Sequence, residues 1–284
     1  ITDLQPVVVV GPMRTGTTLV AELLDTHPDV VYLGFELAEE WAAWTGLPWG
    51  APGADDIGCP PLDADAATPA RAESVRAGLT ALLRDRIGDA PWPRTVVLKS
   101  PHFWHRLDFL TAVLPRARIV RTRRGLLPTV ASLRRLWDRG LDQHGRVHHL
   151  PVDPSRCWDY VPRSEADGYD PDRTFPGGRV PVLAEFCHRV DDALDHLAAR
   201  APERVATVLS HEELVTDPVA ATGRLQRCLG LPVRELVPPK PLDPDRLEEW
   251  RALLGTDERR RVLAVRRRPV LAAEVEGRHA AAER

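Results

Sequence analysis

The residues best suited to chemistry begin at Gly11. The segment Gly11-Pro-Met-Arg-Thr-Gly-Thr-Thr18 follows the apolar run Val7-Val8-Val9-Val10. It precedes a helical pattern in which Leu19, Val20, Leu23 and Leu24 share one face. A strand that enters a glycine-containing turn and then a helix points backbone N–H groups and a positive helix end at an anion. The spacing is Gly11, four residues, Gly16, then Thr17-Thr18. A nucleoside-triphosphate loop has the same skeleton but ends Gly-Lys-Ser/Thr. Here Thr17 stands where that lysine belongs, and the cation, Arg14, comes earlier in the loop.

That displacement has a chemical meaning. The usual lysine reaches the β- and γ-phosphates while its Ser/Thr neighbour holds Mg²⁺. A loop whose cation sits earlier fits a shorter anion, such as a 5′-phosphosulfate, and needs no metal. A second anion site is expected at Arg121-Thr-Arg-Arg124, which ends another β-branched run and leads into a helix carrying Ser132. Pro128 suits an early helical position, where a missing N–H costs little. Ser132 then lies roughly 9–10 Å along that helix. Arg124 and Ser132 are the preferred pair for one phosphate, with Arg123 as the alternative arginine.

Positioning these groups requires a sheet. Val7–Val10, Thr95-Val-Val-Leu98, Ile119-Val120 and Val205-Ala-Thr-Val-Leu209 are short apolar runs of the kind expected for strands buried on both faces. Helical patterns separate them, including Leu126, Leu127, Val130, Leu133 and Leu136 on one face after the third run. Alternating strands and helices predict an α/β fold with a parallel sheet and helices on both sides. Residues 46–69 and 139–180 are rich in Pro, Gly and Asp and are expected as loop insertions within a single domain spanning 1–284. From about Asp243 the tail reads as two helices with Arg-rich surfaces.

The composition bounds the function. The 284 residues are 43% hydrophobic and 28% charged, with a net charge of −3 and a pI near 6.4. A nucleic-acid or membrane-surface binder would be basic, so neither partner is expected. No apolar run reaches the roughly 18 residues of a membrane span, and the chain reads as cytoplasmic. Cys59, Cys157, Cys187 and Cys228 are far apart and suggest free thiols rather than a zinc site or a disulfide framework.

Taken together, these segments resemble the sulfotransferase family. Arg14-Thr-Gly-Thr-Thr-Leu19 is similar to its 5′-phosphosulfate loop, and the span from Arg124 to Ser132 to its 3′-phosphate motif. Val97-Leu-Lys-Ser-Pro101 resembles its central strand, which ends in a lysine. His211-Glu-Glu-Leu, Asp217-Pro218 and Cys228-Leu-Gly-Leu-Pro232 resemble its closing strand and helix. The likeness is stronger to the bacterial and tyrosylprotein branches than to the animal cytosolic one. It implies a P-loop, nucleotide-kinase-like three-layer fold. The implied donor is 3′-phosphoadenosine 5′-phosphosulfate (PAPS), with 3′-phosphoadenosine 5′-phosphate (PAP) as product and no metal. Arg14, Thr15, Gly16, Thr17 and Thr18 would hold the phosphosulfate, Arg124 and Ser132 the 3′-phosphate, and Lys99 the leaving-group oxygen. The Arg-Lys-Gly motif of cytosolic members is missing, and Lys240 is the nearest replacement.

Transfer also needs a base for the acceptor hydroxyl. Where cytosolic members place a histidine, two residues after Lys99, this chain has Pro101. Two candidates remain. Glu36 follows His27-Pro-Asp-Val30, as the base does in the tyrosylprotein branch, although the match needs one extra residue. As a plain acidic residue it would instead sit in the first turn of a helix. His102 follows Lys99 by three, and an imidazole titrates near pH 6.5, suited to base work. Trp41, Trp44, Trp49, Phe103, Trp104 and Trp137 are either lining for an apolar acceptor pocket or core anchors. The pair His102 and His105 could suggest a metal, but spacing supplies no third ligand. The acceptor is expected to be a small-molecule or carrier-bound hydroxyl. The competing classes are a small-molecule kinase using a nucleoside triphosphate and a non-catalytic nucleotide-binding protein.

Overall fold

Residues 7–10 are four successive valines, each with no exposed surface. In a strand their side chains alternate between faces. Val7 and Val9 enter one apolar cluster and Val8 and Val10 another. A sheet buried on both sides follows from this one segment. A computed structural model describes residues 4–34, 36–49, 60–100, 102–138, 146–149, 159–162 and 180–265.

The strands are β1 (Gln5–Val10), β2 (Val30–Tyr32), β3 (Thr95–Lys99), β4 (Arg118–Arg123), β5 (Arg146–His149), β6 (Asp159–Pro162) and β7 (Val205–Ser210). Five form a parallel sheet in the order β2-β3-β1-β4-β7. The main helices are α1 (Thr17–Asp25), α2 (Ala38–Thr45), α3 (Pro69–Ile87), α4 (Leu107–Val113), α5 (Leu126–Asp138), α6 (Val180–Arg200), α7 (His211–Thr216) and α8 (Pro218–Cys228), followed by α9 (Trp250–Leu253) and α10 (Thr256–Ala264). One cluster packs residues of α3, α4, α5 and α6 on the sheet. The other packs α1 and α8 on the opposite face. The result is the three-layer α/β arrangement expected from the alternating pattern. After β1 the chain turns toward β2, and after β4 it turns toward β7. A crevice therefore opens between the C-terminal ends of β1 and β4, where ligands bind in such sheets.

Several expectations need correction. β7 is not buried on both faces: among the described residues it is an edge strand paired only with β4, and Val208 is 40% exposed. β2 was not foreseen, because three residues are too few to show a period. Part of the 139–180 insertion forms an antiparallel hairpin, β5 with β6. The tail holds a 3₁₀ turn (Pro244–Glu248) and two short helices, α9 and α10, rather than two helices alone. Cys59, Cys157, Pro101 and the Trp137 side chain lie outside the described residues. Cys187 is a buried free thiol and Cys228 a half-buried one. Among the described residues, no helix is long and apolar enough to cross a membrane.

The motif at His27 positions β2. Its Nδ1 accepts from the Asp29 N–H at 3.0 Å, so its Nε2 carries the proton donated to the Pro232 carbonyl at 2.9 Å. The side chain is 1% exposed. It ties the start of β2 to the segment after α8.

Candidate active site

The loop after β1 is shaped by its tight approach to β4. A Cβ on Gly11 would come within 2.3 Å of the Thr122 hydroxyl and 2.4 Å of its carbonyl, so only glycine fits there. Thr15 is 2% exposed. Its hydroxyl meets the Pro12 carbonyl at 2.6 Å and the Thr122 hydroxyl at 2.7 Å, and its N–H donates to Pro12. Thr15 therefore fastens the loop to β4 with its polar groups turned inward. Arg14 takes φ 70° and Gly16 φ 94°. Among the described residues, Arg14 and Leu37 are the non-glycine residues with positive φ. Such backbone costs about 1–3 kcal/mol and survives where surrounding structure imposes it. Arg14, Gly16, Thr17 and Thr18 line a cleft of about 500 Å³. Thr17 presents a neutral hydroxyl group where a triphosphate loop would present an ammonium.

The residues expected to form a second anion site, Arg124 and Ser132, line the same cleft. Arg14 Nε donates to Ser132 Oγ at 3.2 Å, and Arg124 Nη1 donates to the Arg14 carbonyl at 3.3 Å. Arg124 Nε is buried without a hydrogen-bond partner. Burial holds this guanidinium below its ordinary pKa, and the neighbouring Arg14 charge pushes the same way. Two adjacent cations, one partly desolvated, form a site that an anion would relieve. Arg123 does not join them: it pairs with Asp195 of α6 at 3.0 Å. Arg121, 3% exposed, pairs with Asp191 at 2.6 Å and with Asp195. These two arginines bind α6 to β4 and leave Arg124 alone to face the cleft.

His211 was missed as a cleft residue. It opens α7 directly after β7, so it stands at the same C-terminal edge of the sheet. Position relative to that edge was the available signal. Burial first, and then the Arg124 and Arg14 charges, push its pKa down to about 4. At neutral pH it is uncharged, and its Nδ1 is buried without a partner. Ser210 caps α7 in a capping box with Glu213. Glu212 accepts from the Gly125 N–H at 2.9 Å and from the Ser210 hydroxyl at 2.7 Å. The turn after β4 and the start of α7 are thereby held together.

The far wall of the cleft comes from residues 239–253, including Lys240, Arg246, Glu249 and Trp250. Sequence reading singled out only Lys240 there. Arg135, one turn beyond Ser132 on α5, lines the cleft as well.

Lys99 ends β3 in register with Val9 of β1. Its side chain is 8% exposed, and Nζ contacts Glu36 Oε1 at 2.9 Å. Glu36 lies just ahead of α2, whose N-cap is Leu37, so it is not a first-turn residue. Its side chain is 36% exposed. His102 is 3% exposed, and its N–H donates to Ser100 Oγ. It starts the 3₁₀ turn Phe103–His105 and gives that turn no side-chain cap. Lys99, Glu36 and His102 all lie outside the lining of the cleft. Trp41 stacks on Trp49, with ring centroids 4.8 Å apart. Both are fully buried, as is Phe103, so these three are core anchors. Trp44 and Trp104 pack against the same core from half-buried positions. Among the described residues no three His, Cys, Asp or Glu side chains gather in a possible metal site.

The sequence matches the sulfotransferase family over residues 6–163. Curated proteins give no match. Similar solved structures include the sulfotransferase domain of the Synechococcus PCC 7002 olefin synthase. It is 15% identical, with TM-score 0.51 over 92% of this chain and 94% of that one. The sulfotransferase domain from the curacin biosynthetic pathway is 13% identical, with TM-score 0.51 over 92% and 96%. At such identities the likeness concerns the fold.

Proposed function

Because the chain belongs to the sulfotransferase family, we propose that it transfers a sulfuryl group from PAPS to an acceptor hydroxyl, releasing PAP. The observation that carries this reading is the convergence of Arg14, Arg124 and Ser132 in one cleft beside the loop 11–18. A donor with a 5′-phosphosulfate and a 3′-phosphate presents two anions, and Arg14 and Arg124 give the cleft a cation for each. Arg14, Gly16, Thr17 and Thr18 hold the phosphosulfate. Arg124 and Ser132 hold the 3′-phosphate. Thr15 supports the loop from behind.

In the transfer, the acceptor oxygen forms a bond to sulfur while the bond from sulfur to the phosphate oxygen breaks. The acceptor proton goes to a base, and the leaving phosphate takes up charge. Catalysis in such displacements rests on positioning and on stabilising that charge. Lys99 and Arg14 supply the cations. Glu36 is the base we favour, since it is partly open to solvent beside Lys99 while His102 is enclosed. The Lys99–Glu36 contact must open as Lys99 moves to the leaving oxygen, which leaves the carboxylate free for the acceptor.

Two similar structures come from biosynthetic systems, an olefin synthase and the curacin pathway. They support a metabolite hydroxyl, small or carrier-bound, as acceptor. The test is turnover with labelled PAPS across a panel of hydroxylated acceptors, with Mg²⁺ and a nucleoside triphosphate as a parallel arm. Labelled sulfate ester is expected in the first arm. Phosphoryl transfer in the second, or PAP binding without turnover on any acceptor, would overturn the reading.

A further inference from the structure

Glu249 occupies an unusual position on the far wall. Its carboxylate meets Arg246 Nε at 2.7 Å and Arg135 Nη1 at 3.4 Å. Both arginines and Glu249 itself line the cleft that holds Arg14, Arg124 and Ser132. Arg246, Arg135 and Arg124 all draw the Glu249 carboxyl below the usual carboxylate range, Arg246 most strongly. One carboxylate therefore holds two arginines of the cleft lining together, within electrostatic reach of Arg124.

From this geometry, and resting on the donor reading above, we infer that Glu249 is an internal stand-in for the donor's 3′-phosphate. Arg135 and Arg246 are then the second half of that phosphate's cradle, facing Arg124 and Ser132. Binding the donor exchanges one anion for another: the phosphate takes over the two arginines and Glu249 swings out.

The exchange runs downhill for three physical reasons. The side chains involved are 42–60% exposed, and ion pairs at that exposure are weak. A phosphate monoester carries about −1.5 to −2 charge against −1 for a carboxylate, with three acceptor oxygens. Arginine pairs with phosphate in a two-pronged geometry, which adds strength and direction. A nucleotide without the 3′-phosphate has nothing with which to displace Glu249. The exchange therefore enters the binding of a 3′-phosphorylated nucleotide and not that of a common 5′-nucleotide. The cradle would also make good the missing Arg-Lys-Gly motif with residues from different segments. Arg135 comes from α5, and Arg246 from the turn 244–248.

The experiment is titration calorimetry with PAP and with adenosine 5′-phosphosulfate, which lacks the 3′-phosphate. It compares the wild-type chain, Glu249→Gln, and the pair Arg135→Gln/Arg246→Gln with and without Glu249→Gln. Glu249→Gln is expected to bind PAP about three- to tenfold tighter, because no resident anion must leave. Adenosine 5′-phosphosulfate affinity should stay within about twofold of wild type, inside the scatter of independent surface changes. The arginine pair is expected to lose about tenfold or more in PAP affinity and to erase the gain from Glu249→Gln. Unchanged or weaker PAP binding by Glu249→Gln, or equal gains for both nucleotides, would overturn the inference while leaving the donor reading intact. Failure of every protein to bind PAP would overturn both.

Discussion

The wall formed by residues 11–18, Arg124 and Ser132 hangs from the C-terminal ends of β1 and β4. The wall formed by residues 239–253 follows the last strand; Leu254 and Val262 behind it are buried in the core, while the side chains facing the cleft are held by ion pairs between half-exposed groups. The first is fixed by backbone contact: Gly11 lies against Thr122, Thr15 is bonded into the loop, and Arg14 is strained into place. The second is tied to α5 by Arg135–Glu249 and, further along, by Arg134–Glu258. One wall is a mould set by the sheet, and the other can exchange its partners. Such a division suits an enzyme that must hold a transition state rigidly yet admit and release a nucleotide.

The largest effect should appear outside both walls, at the end of β3, where Lys99 meets Glu36. Glu36→Gln is expected to lower the single-turnover rate by about 10²- to 10⁴-fold, the usual worth of a positioned base. PAP affinity should hold or rise, since the substitution frees Lys99 from its resident partner and removes no residue of either proposed anion site. His102→Ala should leave the chemical step within a few-fold and act on stability instead, because the side chain is 3% exposed. Rates from rapid-quench experiments decide between them. Near-normal chemistry in Glu36→Gln would rule Glu36 out as the base.

Next comes the mould itself. Gly11→Ala places a methyl group 2.3 Å from the Thr122 hydroxyl. Either the loop or β4 must shift, at a cost of about 1–3 kcal/mol in urea-induced unfolding. PAP affinity should fall with it, because Arg14 and Gly16 move with the loop. A protein of unchanged stability and affinity would show that the first wall yields as easily as the second.

The same comparison explains what could be read in advance. The loop 11–18 and the Arg124–Ser132 span are contiguous, and local spacing plus strand periodicity placed both on one sheet edge. Four of the five parallel strands stood out because their β-branched runs are continuous. β2 is too short to show a pattern, and edge strand β7 has the composition of a buried one. Arg135, Arg246, Glu249 and Trp250 carry no motif. They reach the cleft only through tertiary packing of the tail against α5. The register of three arginines was equally hidden. Arg121, Arg123 and Arg124 are near neighbours, yet only Arg124 faces the cleft, because Asp191 and Asp195 on α6 take the other two.

Breaking a tie of the second wall should cost little stability. Arg134→Gln removes the ion pair with Glu258, in which both side chains are about one-third exposed. Its unfolding free energy is expected to change by less than about 1 kcal/mol. PAP affinity should still drop by a few-fold, since α10 would anchor residues 239–253 less firmly. A large loss of stability would mean that this wall, too, is part of the fold's frame.

The smallest effect concerns His211, which stands between the two walls. Its pKa lies near 4 in the folded chain, against about 6.5 when unfolded, because burial and the Arg124 and Arg14 charges disfavour its protonation. Between those values the unfolded state binds more protons than the folded one. The stability that depends on a neutral His211 is therefore complete above pH 6.5 and is lost as pH falls toward 4. Replacing it by phenylalanine removes that titration while keeping a planar ring. Melting temperatures of wild type and His211→Phe, measured from pH 7 to pH 4, should diverge in slope, with wild type falling more steeply. Carboxylates titrate in both proteins, so the difference between the curves isolates the imidazole. Parallel curves would mean that acid protonates His211 as readily in the folded chain as in the unfolded one. The cleft would then be far wetter, and its arginines better hydrated, than the burial of Arg124 and His211 implies.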